Sequence, residues 1–315
     1  MNYRNRLAIG LSAALLASAV FACGPDFPNE LLENRARTLA YLPEGAFHVE
    51  VARLLPTPDA RFVPNEAQDD WGSETEQRDE RAATEGRDLD AGEHQRVVAM
   101  RQSTNAAHAY AIGLGLPEDI RHYVAGAVAW EQGQLAIAYE HFKRSLAENT
   151  GADARRASWA QYMLARIAAR EGDVDAAALA FTKVRDLVAA GGRDPLGLAV
   201  ASYGAEAALH ADADSTASLN LYLQQAATGS VSGANSVLIV TRRAFADAET
   251  LTAWVAEPLA RRVAVAYAFS RAGELATDDS ALFDEEAYRS DPYRIGTASA
   301  IARLLDAIEA VPQSN

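Results

Sequence analysis

The residues of this chain best suited to chemistry are six histidines, one cysteine and hydroxyls scattered among carboxylates. His94, His108 and His122 recur at intervals of fourteen, which would stack them along one long helix, but "GLGLP" at 113–117 breaks any helix between the last two. His48, His141 and His210 stand apart. None of the six falls in the HExxH pattern that turns two imidazoles on one helical face toward zinc. With Cys23 as the sole thiol, a structural zinc site would need imidazoles and carboxylates alone. The histidines therefore read as exposed or capping side chains. Ser103 and Thr104 have no base at a recognisable spacing, and no GxSxG or phosphate loop occurs. "GLGLP" lacks the third glycine and the preceding strand of a dinucleotide-binding turn. The carboxylates are spread as on any solvated surface, with no pair set apart as acid and base. The expectation is a protein that is not an enzyme and holds no metal and no cofactor.

Cys23 carries an address. Arg4 and Arg6 precede a mostly apolar run, Leu7 to Phe21, and Ala22 is the small residue a signal peptidase needs. The run is short of the roughly 20 residues that cross a bilayer. Val20-Phe21-Ala22-Cys23 resembles the lipobox of bacterial lipoproteins, with Phe21 where that pattern usually has Ser, Ala or Thr. The resemblance implies removal of residues 1–22 and acylation of Cys23 as the new N-terminus. Gly24, where an Asp would resemble the inner-membrane retention signal, implies an outer-membrane lipoprotein facing the periplasm. Two or more acyl chains hold a protein stably where one does not. With Cys23 so used no disulfide forms, and the core alone must hold the fold, for which 49% hydrophobic residues suffice. Loss of Arg4 and Arg6 takes the formal charge from −14 to −16. So acidic a surface argues against nucleic acid and anionic headgroups as partners.

The elements that must position any site follow from composition. Residues 23–64 hold six of the chain's eleven prolines, with one short helix expected over Glu30 to Leu42. "AFHVEVARL" alternates, placing Phe47, Val49 and Val51 on one side and His48 and Glu50 on the other, the pattern of an edge strand. Residues 65–92 carry ten carboxylates, almost no aliphatic side chains and a lone Trp71. Such a stretch buries too little to offset its ordering entropy and reads as a flexible acidic linker. Residues 93–315 read as helical throughout, apart from the short strand-like "SVLIVT", with Pro258 at a helix start and Gly273 past an end.

Within that region the chain repeats. Gly126, Ala165 and Ala205 are 39 and 40 residues apart, and Ala138, Ala177 and Ala217 follow at the same steps. Phe142, Phe181 and Leu221 come one turn later, while Gly133, Gly172 and Asp212 fall at the turn. A small residue on each of two helices permits a close crossing, and the bulky residue fills the space beside it. "YVAGAVAWEQGQLAIAYEHFKRSLAEN", "YMLARIAAREGDVDAAALAFTKVRDL" and the degenerate "YGAEAALHADADSTASLNLYLQQAA" resemble the tetratricopeptide repeat over residues 119–228. His122, Gln161 and Ala201 replace that family's tryptophan, and the period exceeds its usual 34 residues. The resemblance implies an all-α solenoid of helical hairpins. It also implies a concave groove lined by Tyr123 and Trp130 from the first unit and Trp159 and Tyr162 from the second. Ser202, Glu206 and Leu209 would form its more polar third end. Four aromatics on one curved wall could anchor a protein or peptide partner, or else pack as core.

The opening "CGPDFPNELL" and "DPLGLAVASYG" (194–204) are similar to a group of uncharacterised Gram-negative lipoproteins, often longer than this chain, which implies no chemistry. The favoured expectation is a lipid-anchored interaction scaffold in envelope assembly. The alternatives are a shortened form of a longer lipoprotein and an envelope enzyme with an unrecognised site. The last helix places Ile301, Leu304, Leu305, Ile308 and Val311 on one apolar stripe, with alanines around the rest. That predicts self-association, or a partner, at the C-terminal end.

Overall fold

The computed structural model describes residues 47–65, 83–148, 155–211, 214–270 and 297–311. The signal segment, Cys23, the helix expected over Glu30 to Leu42, Trp71, Asp212 and Gly273 lie outside the described residues. What is described is helical. After α1 (Phe47–Ala52) come α2 (Ala91–Arg101), α3 (Ala106–Ile112), α4 (Glu118–Glu131), α5 (Leu135–Ala147), α6 (Ala157–Glu171) and α7 (Val174–Ala189). The chain continues through α8 (Leu198–His210), α9 (Ser215–Ala227), α10 (Val231–Ala246), α11 (Ala248–Ala256), α12 (Pro258–Ser270) and α13 (Thr297–Ala310). Neighbours in sequence pack as neighbours in space: α4 with α5, α6 with α7, α8 with α9, and each pair against the next. Among the described residues no helix is long and apolar enough to cross a membrane.

Local chemistry sets the helix starts. Asp90 and Glu93 form a reciprocal capping box on α2, and Asn105, Asp173, Asp214, Ser230 and Asp247 accept from free N–H groups at the starts of α3, α7, α9, α10 and α11. Gly133 and Gly172 end α4 and α6 at positive φ, as the repeat's turn requires. "SVLIVT" lies inside α10, where Ala234, Val237, Thr241 and Ala244 are buried at helical spacing, so tertiary packing overrides its β-branched run.

The alternating stretch around Phe47 is a helix, not an edge strand. Phe47 and Val51 are four apart, so they share a helical face as readily as a strand face. Val51 packs with Leu219, Leu223 and Trp254, and Phe47 meets the Tyr267 ring edge-on at 5.6 Å. α1 lies against α9, α10 and α12. The chain then runs back along the array as a strap. The Thr57 hydroxyl donates to the Ala227 carbonyl, and Phe62 meets Tyr203 at 6.2 Å. The strap reaches Gly197, where a Cβ would lie 2.8 Å from Asn65 N and 2.9 Å from Val63 O. Gly197 also has φ +65°, so glycine is required there twice over.

The acidic stretch is also more than a linker. Its described part, from residue 83, is docked on the helices. Glu85 accepts from Arg101 at 2.7 Å and Asp88 pairs with Arg156 at 3.1 Å. Arg156 is 1% exposed, donates to the Glu85 carbonyl and stacks 4.6 Å from Trp159. Arg155 holds Glu93 and the Asp88 carbonyl. Burial works against the Arg101 charge, but Glu85 beside it holds the guanidinium above its ordinary range. These carboxylates are partners of the buried Arg156 and the half-buried Arg101 and Arg155, a use that composition does not reveal.

Candidate functional site

The four groove aromatics do not form one open wall. Tyr123 (8% exposed) and Trp159 (2%) meet edge-on at 5.5 Å inside the core, with Phe142 at 5.7 Å on the other side of Tyr123. The docked segment around Glu85 and Asp88 lies over this part. Trp130 and Tyr162 remain half-buried. Tyr162 stands edge-on to Phe181 at 5.5 Å, and burial raises its phenol while Arg166 works against the rise.

Trp130 carries two exposed arginines on its ring, Arg166 at 4.9 Å and Arg170 at 5.4 Å, both from α6. Residues 166 and 170 are one helical turn apart, so both guanidiniums reach the same indole. Neither meets a carboxylate among the described residues. In a chain of net charge −14, two stacked and unpaired cations form an anion-facing patch.

The third unit is built differently from its expectation. Ser202 is buried, donates to the Ala199 carbonyl and accepts from Arg185; Glu206 pairs with Arg185 at 2.6 Å. The Arg185 guanidinium sits 4.4 Å from the Tyr203 ring. Two of the three residues expected at a polar groove end are thus consumed in an internal network, and Leu209 is half-buried against Ala165, Ala177 and Phe181.

Beside that network, α6, α8, α9 and α10 enclose a cleft of about 340 Å³ whose rim is completed by Pro64 and Asn65. Tyr162, Gly204, Tyr222, Gln225, Ser232 and Ser236 contribute to its wall. No lining residue is charged, although 23% of the chain is Asp, Glu, Lys or Arg. Gln225 is 6% exposed and its side-chain carbonyl accepts no hydrogen bond. A buried acceptor left alone costs about 1–3 kcal/mol. Gln225 can lie there because Gly204 has no side chain: a Cβ would come within 2.6 Å of Oε1.

The histidines split. His48, His94 and His108 are exposed. Ser103 approaches His108 Nδ1 at 3.4 Å, but the hydroxyl donates to the Asn105 carbonyl at 3.0 Å, so the ring is not placed as its base. His122 and His141, nineteen residues apart, meet across α4 and α5 with Nδ1 atoms 3.0 Å apart, one donating and the other accepting. Tyr110 lies on both rings, at 4.7 and 5.7 Å. Burial, with His122 and Arg144 beside it, pushes His141 down to about 4. His122 is also lowered by burial, against the pull of Glu118. Sequence reasoning missed this pair because its signal is a hairpin register, not a motif. Among the described residues, no group of three or more His, Cys, Asp or Glu side chains is placed to share a metal ion.

The C-terminal stripe divides in two. Ala300, Leu304 and Ala307 are buried against α11 and α12, with Ile301 and Val311 half-buried. Leu305 (54% exposed) and Ile308 (43%) point away. Leu304 and Leu305 are a hundred degrees apart on a helix, so one stripe could not bury both. No protein-family model matches the chain, and no curated protein matches it.

Proposed function

We propose that the chain is a lipid-anchored envelope protein whose tetratricopeptide-like hairpins act as an interaction scaffold for protein or peptide partners. The patch of Trp130, Arg166 and Arg170 carries this reading: an indole flanked by two unpaired guanidiniums suits an acidic peptide segment. The serial packing of α4 to α10 supports the array, Val20 to Cys23 supports the lipid anchor, and Gly24 supports its place in the outer membrane.

Two measurements test the two halves of the proposal. Metabolic labelling with a fatty acid should mark the wild type and vanish in Cys23→Ser, which should persist as an unprocessed precursor. A wild type that takes up no label and fractionates without membrane ends the anchor reading. For the scaffold, a fluorescent hexaglutamate peptide should bind the full chain in detergent with an affinity that falls as salt rises. The double charge reversal Arg166→Glu/Arg170→Glu should remove that binding, and hexalysine should not compete. Binding indifferent to the reversal ends the patch reading.

A further inference from the structure

We infer that the cleft between α6, α8, α9 and α10 is a binding site for a small, uncharged, polyhydroxylated ligand, a saccharide of one or two rings. This goes beyond the scaffold reading and uses a different part of the surface. The volume of about 340 Å³ falls in the range of small-molecule sites, roughly 300–1,000 Å³.

The lining sets the ligand's chemistry. Thirteen residues line the cleft and none is ionisable at neutral pH, so it offers neither a counter-ion for a charged ligand nor a repulsive field against a neutral one. What it offers is hydroxyls, carboxamides and two phenols. Ser232 and Ser236 form no side-chain hydrogen bond among the described residues and can donate or accept. The Gln225 carbonyl is closed off against Gly204 without a donor, and a turn of its amide toward the cleft would let a ligand hydroxyl or amide N–H supply one. Tyr162 and Tyr222 add aromatic surface for the apolar C–H face of a sugar ring. Gly197, Ala201, Gly204 and Ala205 keep the α8 side of the cleft low, and the Gln225 amide end takes the place that a Cβ on residue 204 would occupy.

Pro64 and Asn65 border the cleft, where the strap is held tight to Gly197.

The test uses the full chain in detergent, titrated with N,N′-diacetylchitobiose, cellobiose and maltose and followed by calorimetry and saturation-transfer NMR, with triserine amide as the peptide control. At least one saccharide should bind with Kd at or below about 1 mM, and Gln225→Leu should weaken it at least tenfold. Ser236→Trp, which fills the cleft from α10, should abolish binding and guards against a folding defect in the first variant. Arg166→Glu/Arg170→Glu should leave saccharide binding unchanged, so the two sites fail independently. No saturable binding by any of the three saccharides, binding that survives both cleft variants, or a preference for triserine amide each overturns the proposal.

Discussion

In the first hairpin, Gly126 lets the Phe142 ring lie against α4; in the third, Gly204 lets the Gln225 amide lie against α8. Both are close approaches permitted by a missing side chain, and they have opposite results. The first crossing is closed by an aromatic ring with no exposure, in a core that includes Ala138 and Tyr123. The third has shifted: Ala205, Ala217 and Leu221, the repeat's counterparts of Gly126, Ala138 and Phe142, are only half-buried. Ser202, Ser218 and Gln225 are buried in their place. A degenerate repeat need not be a failed one. Exchanging a ring for an amide at a crossing turns sealed core into a polar cleft.

The sharpest way to break this comparison is truncation. Phe142→Ala should cost about 3–5 kcal/mol in denaturant unfolding, while Leu221→Ala, half-buried, should cost about 1. Equal losses would mean that the third crossing is as closed as the first. Overpacking comes next. Ala138→Leu and Ala177→Leu should each cost about 1–3 kcal/mol, with Ala217→Leu below both and exposed Ala136→Leu nearly silent. The glycines discriminate more finely. A methyl at Gly126 would press on the Phe142 ring at 2.9 Å and His141 Cβ at 3.1 Å, so Gly126→Ala should lose about 1–2 kcal/mol. Gly204→Ala displaces only the end of a flexible side chain and gains about 1 kcal/mol of helix propensity, so it should be neutral or mildly stabilising.

The remaining lever is pH. His141 is held down to about 4 in the folded state against an ordinary value near 6.5, so the unfolded chain binds the extra proton first. Its contribution is present above about pH 6.5 and lost as pH falls toward 4. Thermal melts across that window should decline, and His141→Gln should flatten that part of the profile. An unchanged slope in the variant would show that the pair does not govern acid sensitivity.

Much of this architecture was legible. The small and bulky positions of the first two units are buried as their spacing requires: Ala138, Phe142, Ala165, Ala177 and Phe181 are all core. Helical periodicity reports which residues share a face, and capping residues report where a helix starts, so long elements were readable. The stretch "AFHVEVARL" (46–54) reads as a strand from sequence because a four-residue interval satisfies a strand and a helix alike, and only the bed of α9, α10 and α12 decides between them. Glu85 and Asp88 looked solvated because their arginine partners lie 16 and 68 residues away. The cleft was illegible for the same reason: Gly204 and Gln225 are unremarkable until a hairpin brings them together.

The strap has a consequence for synthesis. Helical hairpins made from adjacent sequence can form as they emerge, but the Phe47 ring waits for Tyr267 and the Thr57 hydroxyl for a carbonyl 170 residues downstream. At about 5–20 residues per second, the 220 residues from position 48 through Tyr267 take roughly 10–45 s to appear. During that interval Leu219, Leu223 and Tyr203 come off the ribosome before the segment that covers them has closed. The seam that α1 and the strap cover therefore has a cover that is made first and can fit only after α9 to α12 exist.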